Sequence, residues 1–175
     1  WASLEGYRAR LTAEGAAAVA ADPAVESVTR DTTFARIDED VTPVPCQAVA
    51  DPRVQQCLGD NVDRVDGELS SARPGDGTAA IATNIAVIDS GVDRAHPDLD
   101  VAGGVDCGTG EPVPGPGAFV DEIGHGTFVA GVAAARDNDM GVVGVLPGAP
   151  IWSVKVAGPR GNISESALLC AVDWI

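Results

Sequence analysis

The hydrophobic and polar positions divide the chain into two parts with different patterns. In the N-terminal part, residues 6–11 alternate as in a strand, and Thr12 is placed to N-cap an alanine-rich helix that runs to about Ala21. Residues 25–31 predict a second strand. A strand–helix–strand unit this small buries little surface, so we expect it to belong to a larger domain or to pack against one.

From residue 81 onwards, apolar strands alternate with helices. Asn84–Ile88 predicts a buried parallel strand, and residues 151–156 predict another. A helix of small residues begins at His125, and a second helix covers roughly Ser164–Ile175. Residues 103–117, rich in glycine and proline, predict a loop. This order predicts an α/β fold, a parallel sheet with helices on both faces.

The stretch between the two parts, residues 38–78, has an acidic run and several prolines that break regular structure. We expect a connecting segment, with a cleavable boundary between Ile37 and Cys46.

Composition narrows the classes of partner. The chain has 175 residues, 45% of them hydrophobic and 4% aromatic, and a net charge of −15 with Lys155 as its one lysine. Nucleic acids and anionic membranes bind basic patches, so neither is expected as a partner. No apolar run approaches the roughly 18 residues of a membrane span. The first residue is Trp1, and we expect a processed or truncated N-terminus.

The four cysteines lie far apart, without a CxxC pair or nearby histidines, which argues against a zinc site. Their even number in an acidic, lysine-poor chain favours two disulfides and an exported protein; four buried thiols are the alternative. Cys46 and Cys57 are close enough in sequence to bridge locally.

His125 lies between two glycines at a predicted helix start, where the helix dipole favours a neutral imidazole. The plain alternative is a core or capping histidine. Asp89 ends the strand that begins at Asn84, and ligands of open α/β sheets bind at the carboxyl ends of strands. If the two meet, the carboxylate orients one ring nitrogen and leaves the other as a base.

Three motifs in order carry a family resemblance. Residues 86–92, with His96-Pro97-Asp98-Leu99 after them, resemble the aspartate motif of the subtilisin-like serine proteases (peptidase S8). Residues 124–131 resemble the histidine motif of that family, and residues 144–149 resemble the segment that follows it. Residues 6–37 are similar to the latter half of the inhibitory propeptide (inhibitor I9 type).

The resemblance implies three parts, which are a partial α+β propeptide (1–40), a linker with the N-terminal segment of the mature enzyme (41–80) and the N-terminal part of the catalytic domain (81–175). It implies an incomplete subtilisin-like parallel-sheet domain and a secreted, monomeric serine endopeptidase. Asp89 would orient His125, which would act as general base and then general acid. Substrates would be proteins or peptides, with the propeptide as intramolecular inhibitor.

Two departures from the family pattern follow. Phe128 stands where the family usually carries a second histidine, and His96 falls on no catalytic position, so we expect local packing beside Pro97. The nucleophilic serine of the family lies in a Gly-Thr-Ser motif that none of this chain's serines matches. We therefore expect an N-terminal fragment that is inactive alone. The alternative is a non-catalytic binding or chaperone-like protein that keeps the fold. A phospho-acceptor domain built on Asp89 does not account for His125.

The resemblance also implies a structural Ca²⁺ site. Its ligands would be the side chains of Asp98 and Asn138 and the backbone carbonyls of Arg136, Met140 and Val142. The alternative is a solvated polar turn. For catalysis itself no cofactor is expected. We predict disulfides between Cys107 and Cys170 and between Cys46 and Cys57.

Overall fold

The computed structural model describes residues 6–34, 47–48, 55–77 and 82–175 of a mixed α/β protein. The helices are α1 (Ala13–Ala20), α2 (Asp60–Asp63), α3 (His125–Ala134) and α4 (Glu165–Trp174); the strands are β1 (Thr33–Phe34), β2 (Gln47–Ala48), β3 (Gln55–Leu58), β4 (Ile85–Asp89), β5 (Val101–Asp106), β6 (Val113–Pro114), β7 (Met140–Val143), β8 (Ile151–Lys155) and β9 (Ile163–Ser164). The predicted window for cleavage, Ile37 to Cys46, lies outside the described residues.

The main sheet has the strand order β4-β8-β5-β6. Strands β4, β8 and β5 are parallel, and β6 is antiparallel to β5. In the register of the sheet Asp89 and Asp106 both lie opposite Lys155, so the three parallel strands end level with one another. The carboxyl end of β4 is therefore at the same sheet edge as the ends of its two neighbours.

Helices α3 and α4 pack on opposite faces of this sheet. Ile151 of β8 belongs to a hydrophobic cluster with Ala130 and Ala134 of α3. Val154 of β8 belongs to a second cluster, with Ala167 of α4. Side chains three residues apart on a strand point to opposite faces, so the sheet has one helix on each side. The predicted strand–helix pattern of an α/β domain is confirmed at this coarse level.

Residues 103–117 were wrongly predicted to be a loop throughout. β5 continues to Asp106, and β6 forms a short hairpin partner for it. The glycines here make room for a neighbour: a Cβ on Gly103 would lie 2.7 Å from a ring carbon of Trp152. The glycines that suggested a turn in the sequence are therefore needed for packing within the strand.

Strand β7, also missed, pairs in parallel with β3 and in that way attaches residues 55–58 to the domain. The sequence around it was interpreted as a Ca²⁺-binding loop, or alternatively a polar turn, and not as a strand.

In the N-terminal segment the predicted helix forms, but the two predicted strands do not. α1 forms as predicted, and Thr12 Oγ1 accepts a hydrogen bond from the Gly15 N–H at 3.1 Å. Residues 6–11 and 25–31 have no regular secondary structure, so both predicted strands are wrong. Alternation alone does not make a strand without a hydrogen-bonded neighbour. Only Thr33–Phe34 finds one, in antiparallel pairing with β9.

A disulfide joins Cys107, just after β5, to Cys170 of α4, with the Cα atoms 5.7 Å apart. This predicted pairing is confirmed. The pairing of Cys46 with Cys57 is a prediction still, because Cys46 lies outside the described residues. Within the described ranges, no helix has the length and hydropathy that a membrane span requires.

Candidate active site

The structure brings Asp89 and His125 into direct contact. The Nδ1 atom of His125 lies 2.7 Å from Oδ1 of Asp89. Asp89 ends β4 and is 9% exposed, whereas His125 is the first residue of α3 and its side chain is 27% exposed. An ionised carboxylate only accepts hydrogen bonds, so the proton of this contact belongs to Nδ1. Nε2 is then the ring nitrogen that remains for proton transfer.

A close backbone approach makes this contact possible. The start of α3 lies directly against the loop after β4, and a Cβ on Gly126 would overlap the carbonyl oxygen of Gly91. Only glycine fits there, which explains the glycine that follows His125. The helix is held at this distance by Ser90, whose Oγ accepts a hydrogen bond from the Gly126 N–H at 2.9 Å.

Asp121, which the sequence analysis did not identify, is the most heavily hydrogen-bonded carboxylate near the pair. Its Oδ1 accepts from the N–H groups of Ile123 and Gly124 at 3.0 and 2.8 Å and from Ser90 Oγ at 2.9 Å. Its Oδ2 accepts from the N–H and Oγ1 of Thr127 at 2.9 and 2.6 Å. Burial raises the pKa of Asp121, but these hydrogen bonds outweigh it and place the pKa below the ordinary value. The signal in the sequence that could have identified Asp121 is an aspartate shortly before the start of a helix.

Lys155 supports the same loop from the sheet. Its side chain is 8% exposed, and its Nζ donates to the Val120 carbonyl at 2.6 Å and to Glu122 Oε2 at 2.9 Å. A cleft of about 410 Å³ lies beside it, with Asp106 and Ala157 also in its lining. The backbone N–H of Ala157 donates to the Asp89 carbonyl oxygen at 3.3 Å, which links the lining of the cleft to the end of β4.

Two other residues that the sequence analysis discussed lie apart from the pair's hydrogen bonding. His96 accepts a hydrogen bond at Nδ1 from the Asp98 N–H at 3.3 Å, which is a local turn contact. Phe128 is 52% exposed on α3.

Of the predicted cation ligands, Asn138 contacts the buried carboxylate of Asp98 through its side chain, and Arg136 and Val142 contact Asp98 through backbone N–H groups. Asp98 is 5% exposed, and its Oδ1 accepts from Asn138 Nδ2 at 2.9 Å. The Arg136 N–H donates to the backbone carbonyl of Asp98 at 3.0 Å. Burial raises the pKa of the Asp98 carboxyl, and the hydrogen bonds from the Asn138 amide and the Val142 N–H only partly offset it. Met140 and Val142 lie in the adjacent strand β7.

The Asp98 carboxylate is the charged oxygen ligand that this set would offer a hard cation. A buried carboxylate without a cationic partner costs free energy, and in the part of the chain that the structure describes no ion pair to Asp98 is found. The same part contains no cluster of three or more His, Cys, Asp or Glu side chains. A cation here would therefore be held mainly by amide and carbonyl oxygens around one carboxylate, as Ca²⁺ accepts.

Gln56 is a neighbour of this set that the sequence analysis missed. Its side chain is buried, with Nε2 donating to the Arg136 carbonyl at 2.7 Å and Oε1 accepting from the Asp139 N–H at 3.3 Å. Nothing local in the sequence marks it, because the contact depends on the pairing of β3 with β7.

Comparison with known proteins gives consistent matches. Residues 81–175 match the model of the subtilase family (Peptidase_S8). The chain is 33% identical to M-protease of Shouchella clausii (strain KSM-K16) over 150 residues, which is 86% of this chain and 35% of that protein. It is 42% identical to subtilisin E of Bacillus subtilis (strain 168) over 90 residues, 51% of this chain and 23% of that protein. It is 40% identical to subtilisin Savinase of Lederbergia lenta over 98 residues, 56% of this chain and 34% of that protein.

In these three alignments the match spans about a third or less of each relative's length. The alignment with M-protease is longer than the 81–175 match, so it must include residues from the N-terminal part.

Proposed function

Because the chain belongs to the subtilase family, we propose that it supplies the Asp–His part of a serine endopeptidase active site that hydrolyses peptide bonds. The observation that carries this proposal is the 2.7 Å contact between His125 Nδ1 and Asp89 Oδ1. It lies at the carboxyl end of a parallel strand, where α/β proteins bind their ligands.

In the proposed mechanism, Asp89 holds the Nδ1–H tautomer of His125 and stabilises the imidazolium that forms. Nε2 takes the proton of a serine hydroxyl as the oxygen attacks the scissile carbonyl carbon. The same proton then passes to the leaving amine, and the acyl-enzyme that remains is hydrolysed by water activated in the same way.

The serine is proposed to come from polypeptide outside these 175 residues. Ser90, the serine next to Asp89, is fully buried and its Oγ is engaged with Asp121 and Gly126, which leaves it unsuited to attack a substrate. None of the other serines lies in a Gly-Thr-Ser sequence.

We propose that peptide substrates bind as an added strand next to β9. Strand β1 already pairs there in antiparallel fashion, with Thr33 opposite Ser164 and Phe34 opposite Ile163. A sheet edge that accepts one extended segment has the backbone groups to accept another.

Residues 1–40 are accordingly proposed to be the propeptide that blocks this edge, with 41–80 as the linker and the start of the mature enzyme. Contacts across the chain support the docking: the Glu165 N–H donates to the Thr32 carbonyl at 2.9 Å, and Thr32 Oγ1 to Glu165 Oε2 at 3.2 Å. The disulfide supports a secreted protein, because disulfides persist in oxidising compartments. A monomer is proposed.

The gene sequence beyond Ile175 and an activity assay test the proposal. A Gly-Thr-Ser motif downstream supports the protease, and a stop codon directly after Ile175 supports a non-catalytic binding or chaperone-like protein.

In the protein that carries the downstream segment, Asp89→Asn should lower kcat on a peptide amide by about 10⁴-fold, because the wrong tautomer is favoured. His125→Ala should abolish the burst of acyl-enzyme. Asp60→Asn on exposed α2 is the matched control and should leave kcat unchanged. Equal activity of Asp89→Asn and Asp60→Asn would rule the mechanism out.

We also propose that Ca²⁺ is held by the Asp98 carboxylate, the Asn138 amide oxygen and the carbonyls of Arg136, Met140 and Val142, with Gln56 at its border. Ca²⁺ at a hundredfold its Kd should raise the free energy of unfolding by about 2.7 kcal/mol. Thermal unfolding with Ca²⁺ or with a chelator measures this. Asp98→Asn should abolish the Ca²⁺ effect and the control Asp100→Asn should keep it. An unfolding temperature that does not change when Ca²⁺ is added would contradict the proposed site.

A further inference from the structure

The first turn of α3 depends on acceptors from outside the helix. The first N–H groups of a helix have no partner within it, and the N-cap residue, Gly124, has no side chain to offer. Ser90 Oγ accepts from the Gly126 N–H, and Asp121 Oδ2 accepts from the Thr127 N–H, each at 2.9 Å. The turn that carries His125 is thus capped by two residues from two other segments.

These two caps are joined to each other and to Asp89. Ser90 Oγ donates to Asp121 Oδ1 at 2.9 Å, and the Ser90 N–H donates to Asp89 Oδ1 at 2.7 Å. The same Asp89 oxygen contacts His125 Nδ1. The hydrogen bonds therefore close a ring that runs from His125 through Asp89, Ser90 and Asp121 back to the first turn of α3.

We propose that Asp121 is a positioning residue for His125: through Ser90 and Thr127 it fixes the first turn of α3 and so holds the imidazole against Asp89. The inference rests on the proposed function, because it concerns the same pair. Its test measures the contact between the two side chains and not proteolysis, so either can fail without the other.

The charge and shape of Asp121 both matter for this role. Its two oxygens accept five hydrogen bonds, all from N–H or O–H donors. An asparagine has the same shape but only one acceptor oxygen, and its NH₂ group would face a donor. The negative charge also lies close to the N-terminus of α3, where the helix dipole favours it. Asp121→Asn therefore removes the negative charge and one acceptor oxygen with little change in side-chain volume.

The ring protons of the two histidines report on the contact directly. These 175 residues contain two histidines, His96 and His125, so ¹⁵N-histidine labelling of this chain gives two imidazole spin systems. A proton in a short hydrogen bond to a carboxylate is shifted downfield and is slow to exchange. We expect the His125 Nδ1 proton to be visible in the wild-type chain and lost in Asp121→Asn, while the His96 signals stay unchanged.

A matched control separates this role from general loss of a carboxylate. The carboxylate of Asp137 accepts from the N–H groups of Gly75 and Gly77 at 2.9 and 2.7 Å, in another loop. Asp137→Asn should keep the His125 signal. Persistence of the signal in a folded Asp121→Asn variant, or its equal loss in Asp137→Asn, would overturn the proposal.

A second pair of variants covers the case in which Asp121→Asn does not fold. Thr127→Val removes the hydroxyl that donates to Asp121 at 2.6 Å and keeps the side-chain shape, whereas Thr127→Ser keeps the hydroxyl. We expect faster exchange of the His125 Nδ1 proton in Thr127→Val and wild-type behaviour in Thr127→Ser. Identical exchange in the two variants would contradict a role for this hydrogen-bond ring.

Discussion

The surroundings of the Asp89–His125 pair and the N-terminal segment, residues 6–34, are held in opposite ways. The pair is surrounded by buried and half-buried groups: Ser90 is fully buried, the half-buried Asp121 accepts five hydrogen bonds, and the backbone of Gly126 lies directly on that of Gly91. In the N-terminal segment, α1 has no buried residue at all.

That segment reaches the rest of the protein through polar contacts and one two-residue strand. Arg8 binds the Thr109 carbonyl and the Asp31 carboxylate, and Asp31 in turn accepts from the N–H and Oγ of Ser166 at 3.0 and 2.7 Å. Exposed polar contacts contribute little to stability, whereas buried ones cost much when broken. The comparison therefore separates a region held largely by buried contacts from one held by contacts at the surface.

The largest expected effect comes from filling the close approach beside His125. Gly126→Ala should lower the free energy of unfolding by about 3 kcal/mol, because its Cβ would overlap a backbone carbonyl that cannot move aside. Gly131→Ala, in the same helix, meets nothing within 4 Å and should raise it by about 1 kcal/mol through helix propensity. Urea unfolding of both variants measures the difference. Similar values for the two would show that α3 is not tightly seated.

An effect of intermediate size on the free energy of unfolding is expected when the pH is lowered. The pKa of Asp121 is lowered in the folded protein, so its stabilisation is complete above its unfolded pKa of about 3.9 and is lost as the pH falls through the folded value. Asp121→Asn should therefore destabilise the protein at pH 7 and much less at pH 2. Urea unfolding at several pH values tests this. A destabilisation that stays constant over that range would assign the effect to shape and not to the charge.

The smallest effect is expected at the N-terminal segment. Asp31→Ala should loosen β1 by on the order of 1 kcal/mol or less, because the carboxylate is partly exposed. The hydrogen bond from Ser166 lowers the pKa of Asp31, so the contact should hold at neutral pH and weaken in acid. Amide exchange of Thr33 and Phe34 reports the change. Asp22→Ala, which removes only the local bond to the Ala24 N–H, is the control and should leave it unaltered.

The sequence predicted those parts of the fold in which local pattern and tertiary structure agree. The β4 strand and the helix starts at Thr12, His125 and Ser164 all carry signals within a few residues. Asp89 and His125 were identifiable because each occupies a position with a structural meaning, a strand end and a helix start.

The predictions that failed depend on partners distant in sequence. Residues 6–11 alternate and residues 25–31 contain strand-forming residue types, but neither has a strand beside it, whereas β7 has a partner, β3, that no local rule points to. The same applies to Gln56, an ordinary polar residue in the sequence whose hydrogen bonds come from residues 80 or more positions away. Asp121 differs, because most of its donors are local and only Ser90 is distant in sequence.

The disulfide between Cys107 and Cys170 has a consequence for the lifetime of the molecule in the presence of proteases. It closes a span with a sequence separation of 63 that contains His125 and the exposed stretch 111–114. Exposed loops are where chains are nicked first. A single cut there would leave both pieces covalently linked, and the segment with His125 would stay attached to the strand that carries Asp89. Cleavage of this loop would therefore not by itself cause the two pieces to dissociate.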